Sequence, residues 1–97
     1  MKAAKPRKPF QLTLFVVGKD PNSLLALVNL HSMCAEHLND GSCTVTIVDV
    51  EHDFQAALDN NVLVTPTLLV DGPRGRTTII GNLSDIDRII LTIGAPC

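Results

Sequence analysis

Three cysteines and three histidines are the side chains of this 97-residue chain best suited to nucleophilic, redox or metal chemistry. Cys34, Cys43 and Cys97 are odd in number and lack a Cys-x-x-Cys spacing, so they suggest neither a disulfide framework nor a zinc site. Free thiols in a reducing compartment fit them. His31, Cys34 and His37 recur at three-residue steps, which on a helix fan over about 120° and suit a single metal ion poorly. Structural or solvated roles fit these three, and neither a metal nor a cofactor is expected. His52 stands with Asp49, Glu51 and Asp53 in an acidic cluster at a strand end, which is either a solvated loop or a face offered to a partner. No Ser–His–Asp spacing, phosphate-binding glycine loop or paired carboxylates stands out.

The elements that must position these groups can be read from hydrophobic period and turn chemistry. Residues 10–17 alternate at first and then become wholly apolar, as a strand entering a core does. A turn follows over residues 18–22, and Ser23 can cap the next helix, although Asp20 or Asn22 would also serve. That helix extends to about residue 38, with Leu24, Leu27, Leu30, Cys34 and Leu38 as its expected buried stripe, and Asn39, Asp40 and Gly41 end it. CTVTIVDV at residues 43–50 is rich in β-branched residues and makes a second strand. Strand, helix and strand within about forty residues form one βαβ unit with parallel strands and a right-handed crossover.

Residues 51–61 make a weaker, mostly polar helix with Phe54, Ala57 and Leu58 along one stripe. VLVTPTLLVDGPRGRTTII then reads as an antiparallel hairpin, with Pro66 at the start of its first strand, where a missing N–H is tolerated. Residues 82–94 form a last helix, with Ser84 at its cap, Asp85 and Asp87 in its first turn, and Ile86, Ile89, Ile90 and Ile93 on one face. Its β-branched residues would also serve as a strand.

Length fits one domain over residues 10–97, preceded by a flexible basic N-terminus at residues 1–9. Lys2, Lys5, Arg7 and Lys8 are half of the basic residues; from Pro9 onward four basic face ten acidic residues, a net charge of −6. An acidic body without Trp or Tyr argues against a nucleic-acid surface. Gln11 and Thr13 interrupt the first apolar run, no small-residue cleavage site follows it, and no run approaches a membrane span, so a soluble, cytoplasmic chain is expected.

The order βαβ, α, ββ, α matches the α/β thioredoxin-like arrangement, a mixed four-stranded sheet with helices on its faces. In that fold redox chemistry sits at the joint after the first strand, residues 19–23 here. It requires a thiolate at the helix N-terminus and a second thiol to resolve the mixed disulfide. Asp20, Pro21, Asn22 and Ser23 supply neither. Base rates favour a trans Thr65–Pro66 bond, and the fold analogy reverses that toward cis.

Four stretches together resemble the KaiB family, which includes the KaiB-like sensor domain of a clock-output histidine kinase: FVVGKDPNS at residues 15–23, IVDV at 47–50, VTPTL at 64–68 and IIGNLS at 79–84. The resemblance runs from Phe10 to about Ile93. It makes Gly18, Pro21, Asn22, Ser23, Thr65, Pro66, Thr67, Gly81 and Ser84 the structural motif positions. It implies a non-catalytic binding module that regulates a KaiC-type ATPase and autokinase in a circadian or clock-related signalling system. It also implies self-association as a dimer or tetramer, and a metamorphic second half whose alternative ground-state order is βαββααβ. A stand-alone signalling domain that meets a histidine kinase, and a single-cysteine thiol enzyme, are the alternative readings. Asp49, Glu51, Asp53, Phe54 and Asn61 are the expected partner face.

The chain departs from the family pattern at several positions. Asn61, Leu69–Val70 and Thr77–Thr78 stand where the family carries basic residues, which removes groups suited to an acidic partner. Thr92, Ile93 and Gly94 replace a Gly-Leu-Asp, and losing a mid-helix Gly favours the helix, hence the thioredoxin-like form, by a few tenths of a kcal/mol. The turn Gly72-Pro73-Arg74-Gly75 is similar to that of the kinase sensor domain.

Overall fold

Alternation in the first strand divides the molecule into two faces. The computed structural model describes residues 10–37, 43–72 and 75–93. Its elements run β1 (Phe10–Val16), α1 (Pro21–His37), β2 (Cys43–Asp49), α2 (Phe54–Asp59), β3 (Thr67–Gly72), β4 (Gly75–Ile80) and α3 (Ile86–Ile93). They build one mixed sheet of order β2-β1-β3-β4, in which β1 pairs parallel with β2 and antiparallel with β3, and β3 pairs antiparallel with β4. This is the thioredoxin-like arrangement expected from the sequence, and the ambiguous last segment is helix.

Phe10, Leu12, Leu14 and Val16 share one face of β1 and pack with Leu68 and Val70 of β3 under α1 and α3. Ala26, Leu30 and Met33 of α1 and Ile89 and Ile90 of α3 close this core, which no aromatic side chain other than Phe10 enters. Burying each such aliphatic side chain stabilises the fold by roughly 1.5–3 kcal/mol. On the opposite face Phe15 and Leu69 pack with Ala57 of α2, a smaller cluster under a six-residue helix. Leu83, in the left-handed region at φ 65°, is nevertheless part of the main core just before α3.

Three expectations are corrected. The cap of α1 is Asp20, whose carboxylate accepts the Ser23 N–H at 3.1 Å, with Pro21 at the first helical position. Ser23 lies inside the first turn, fully buried, and its hydroxyl accepts the Val17 N–H at 3.1 Å. The buried stripe of α1 runs Ser23, Ala26, Leu30 and Met33; Leu27 and Cys34 flank it half-buried, and Leu24 faces water. In α3, Asp85 takes the cap, with its carboxylate accepting the Arg88 N–H at 3.2 Å, while Ser84 is exposed and donates its own N–H to Asn82. Leu38, the helix end at residues 39–41, the hairpin tip at 73–74, the basic N-terminus and Cys97 lie outside the described residues.

Candidate protein-docking surface

The C-terminal ends of β1 and β2 and the N-terminal end of β3 meet at one edge of the sheet. The joint after β1 lies there, and hydrogen bonds close it: Asp20 donates its N–H to the Val17 carbonyl at 3.0 Å, and Ser23 takes the Val17 N–H. Gly18 sits at φ 39°, and a Cβ there would stand 2.7 Å from the Glu51 Oε1. The left-handed backbone favours glycine at this turn, while the carboxylate could swing aside. The joint holds no thiol, the group that disulfide exchange requires, and its hydrogen bonds fix how α1 leaves the sheet.

Beside it, the Val50 N–H reaches the Val16 carbonyl at 2.9 Å and ties the end of β2 to β1. The Asp49 carboxylate accepts the Glu51 N–H at 2.9 Å and faces His52 at 3.9 Å, so this acid shapes its own turn. Asp53 caps α2 by accepting the Ala56 N–H at 3.1 Å. Asn61 takes φ 58° just past α2, where the Val62 N–H returns to the Ala57 carbonyl. That is the geometry of a left-handed helix terminus, in which Asn is tolerated well. Asp49, Asp53 and Asn61 thus hold the local backbone, whereas Glu51 and Phe54 project into solvent.

The Thr65–Pro66 bond is cis, in agreement with the fold analogy, and the Pro66 carbonyl accepts the Gly81 N–H at 3.0 Å. The Thr67 hydroxyl donates to the Val64 carbonyl at 2.6 Å and braces the loop from the other side. Arg76 lies across the hairpin, gripping Asp71 through two nitrogens at 2.6 and 3.1 Å and donating a third hydrogen bond to Asn60. The Asp71 hydrogen bonds, more than simple charge proximity, hold its guanidinium even more firmly protonated than usual.

The loop so braced displays apolar side chains. Leu63 is 89% exposed, Ile80 68% and Phe54 65%, with Leu58 and Val64 about half exposed. Two shallow grooves of about 200 and 310 Å³ meet at Val62, Leu63 and Val64; Phe54 lines the first, and Asn61, Arg76 and Ile80 line the second. The adjoining segment, residues 49–61, carries Asp49, Glu51, Asp53 and Asp59 and neither Lys nor Arg, while Arg76 is the charged side chain that lines the second groove. Sequence reasoning named Phe54 and the acids but missed Leu58, Leu63, Val64 and Ile80. An apolar VLV run reads as buried by default. The usable signal was Pro66, whose missing N–H suits it to the start of a strand, so that β3 begins just after it and Leu63 and Val64 lie in the loop before.

The two described thiols, Cys34 and Cys43, sit elsewhere. Cys43 pairs with Phe10 at the start of the parallel ladder, about 20 Å from the joint over the length of the strand. No group of three His, Cys, Asp or Glu among the described residues gathers to hold a metal ion, and no described helix is long and apolar enough to cross a membrane.

A family model described as the KaiB domain matches residues 13–94. The chain belongs to the KaiB family. It is 36% identical over 86 residues to the circadian clock oscillator protein KaiB of Prochlorococcus marinus (strain MIT 9211), covering 89% of this chain and 75% of that one. The circadian clock protein KaiB3 of Synechocystis sp. is 34% identical over 80 residues, covering 82% and 78% of the two chains. Among solved structures, the N-terminal domain of Synechococcus elongatus SasA superposes with a TM-score of 0.75 at 20% identity, over 96% of this chain and 87% of that one. Chloroplastic thioredoxin z gives 0.76 at 19% identity, over 91% and 78%. At those identities the two structures show a shared thioredoxin-like fold, which this KaiB-family chain builds without a thiol at the joint.

Proposed function

We propose that this KaiB-family chain is a non-catalytic docking module that binds a KaiC-type ATPase ring in a circadian or clock-related system. The observation that carries the reading is the set of exposed apolar side chains Phe54, Leu58, Leu63, Val64 and Ile80, next to the acidic segment 49–61 and braced by hydrogen bonds. A contiguous apolar patch with a polar rim is the usual anatomy of a protein interface. The relatives' names as clock proteins supply the context. The segment at and before α2 is acidic, so the partner surface that meets α2 carries basic groups. Asp49, Glu51, Asp53, Phe54 and Asn61 fall within or beside this surface, the acids and Asn61 shaping it and Phe54 anchoring it. The test is co-elution of the purified chain with nucleotide-loaded KaiC-type ring on size exclusion. A shared peak is the expected result; separate peaks under every nucleotide condition would refute the reading.

A second reading is a signalling domain that meets a histidine kinase. It is favoured by the helical α3 and by the sequence Gly72-Pro73-Arg74-Gly75, which is similar to that of the kinase sensor domain. Pull-down with a clock-type histidine kinase in place of the ring separates the two.

A further inference from the structure

The one chemically reactive juxtaposition among the described residues lies at the far end of the sheet from the docking surface. Cys34, in the last turn of α1, and Cys43, the first residue of β2, hold their sulfurs 3.7 Å apart, with the Cys43 thiol donating to the Cys34 Sγ. Both are reduced and half-buried, so a small reagent can reach them. Two separate elements bring them together. Cys43 lies beside Phe10 on the face of the sheet that α1 covers, and β2 is an edge strand with no neighbour beyond it.

We propose that Cys34 and Cys43 form a two-thiol modification site that low-molecular-weight disulfides oxidise to an intramolecular bond linking α1 to β2. A disulfide spans about 2.05 Å, so the sulfurs must close by roughly 1.7 Å, an adjustment shared between two side chains at the margin of the core. The order of attack follows from the surroundings. Burial first, and then the neighbouring Cys43, push the Cys34 thiol up to about 12, so Cys34 stays protonated at neutral pH. Cys43, on the edge strand β2, gives its proton to solvent as its sulfur attacks the external disulfide, forming one S–S bond and expelling one small thiolate. The Cys34 sulfur then attacks the Cys43 Sγ and gives its proton to solvent, and the second small thiolate leaves. The protein dithiol loses two electrons and the small disulfide gains them, yielding two small thiols. A partly exposed pair of this kind belongs among labile, reversible disulfides rather than structural ones. The step is stoichiometric and lies outside the docking role, so it stands or falls independently of it.

The full chain carrying Cys97→Ser is equilibrated with mixtures of oxidised and reduced glutathione, quenched by alkylation and measured by intact mass and peptide mapping. The expected product is lighter by two hydrogen atoms, escapes alkylation at both positions, and yields one cross-linked peptide pair joining Cys34 to Cys43, at least tenfold more abundant than any glutathione adduct. Adding Cys34→Ser should stall the reaction at a glutathione adduct on Cys43. Should that second variant fail to fold, the cross-linked peptide pair in the first still decides the matter. Glutathione adducts, intermolecular dimers or unmodified thiols at every ratio, without the internal link, would overturn the proposal.

Discussion

Val17 donates its N–H to the Ser23 hydroxyl, and Ser23 is fully buried. Replacing Ser23 with Ala removes that acceptor where water does not easily substitute, so Ser23→Ala should cost about 1–3 kcal/mol in urea unfolding. The opposite sequence assignment, Ser23 as cap and Asp20 as turn, was equally consistent with residue type, because Asp, Asn and Ser all cap well. Only the packing of the turn against β1 decides between them. Cys34 sets a second expectation. Its folded pKa is raised from 9.0 to about 12, chiefly by burial. A raised acid leaves stability untouched below the unfolded value and lowers it as pH climbs from about 9 toward 12, because the unfolded thiol ionises first. The slope must be well below the limit of about 1.4 kcal/mol per pH unit, since water screens a half-exposed thiol. Denaturation midpoints should fall as pH rises from about 9 toward about 11, and Cys34→Ala should flatten the fall.

Element by element, strands and turns were the most readable. β1, β2 and the hairpin announce themselves through β-branched runs bounded by Gly, Pro, Asp and Asn, and the order alone led to the observed sheet. The face of α1 was not readable. Leu24, Leu25, Ala26, Leu27, Val28 and Leu30 crowd six apolar residues into seven positions, so no single stripe is marked. Tertiary packing selects Ala26, Leu30 and Met33 and leaves Leu24, Leu25 and Val28 in water. α3 shows the reverse case, with weak local preference rescued by burial. Ile89 and Ile90 dock it on the main core, and β-branched residues alone would not hold eight residues helical. Ile90→Ala should therefore destabilise the fold by about 2–5 kcal/mol. Amide exchange should speed up in α3 by more than in β1 and β3, because a terminal helix opens before the central strands do.

On the scale of the whole molecule, the two ends of the sheet carry different chemistry. One end carries the hydrogen-bonded joint, the acidic segment and the apolar grooves; the other carries the thiol pair. That separation leaves the joint ordered by hydrogen bonds with no thiol beside it. Composition revealed the acidic body and the sequence pattern revealed the family, but the docking surface was only half legible. Its anchors Leu63 and Ile80 come from segments that meet only after the hairpin forms. The most direct test of a function based on shape is the affinity of the chain for a KaiC-type ring, compared with that of Leu63→Asp by isothermal calorimetry. Leu63 is 89% exposed, so the substitution should leave the thermal midpoint unchanged while weakening binding at least about tenfold, roughly 1.4 kcal/mol. Equal affinities for the two proteins would contradict the account.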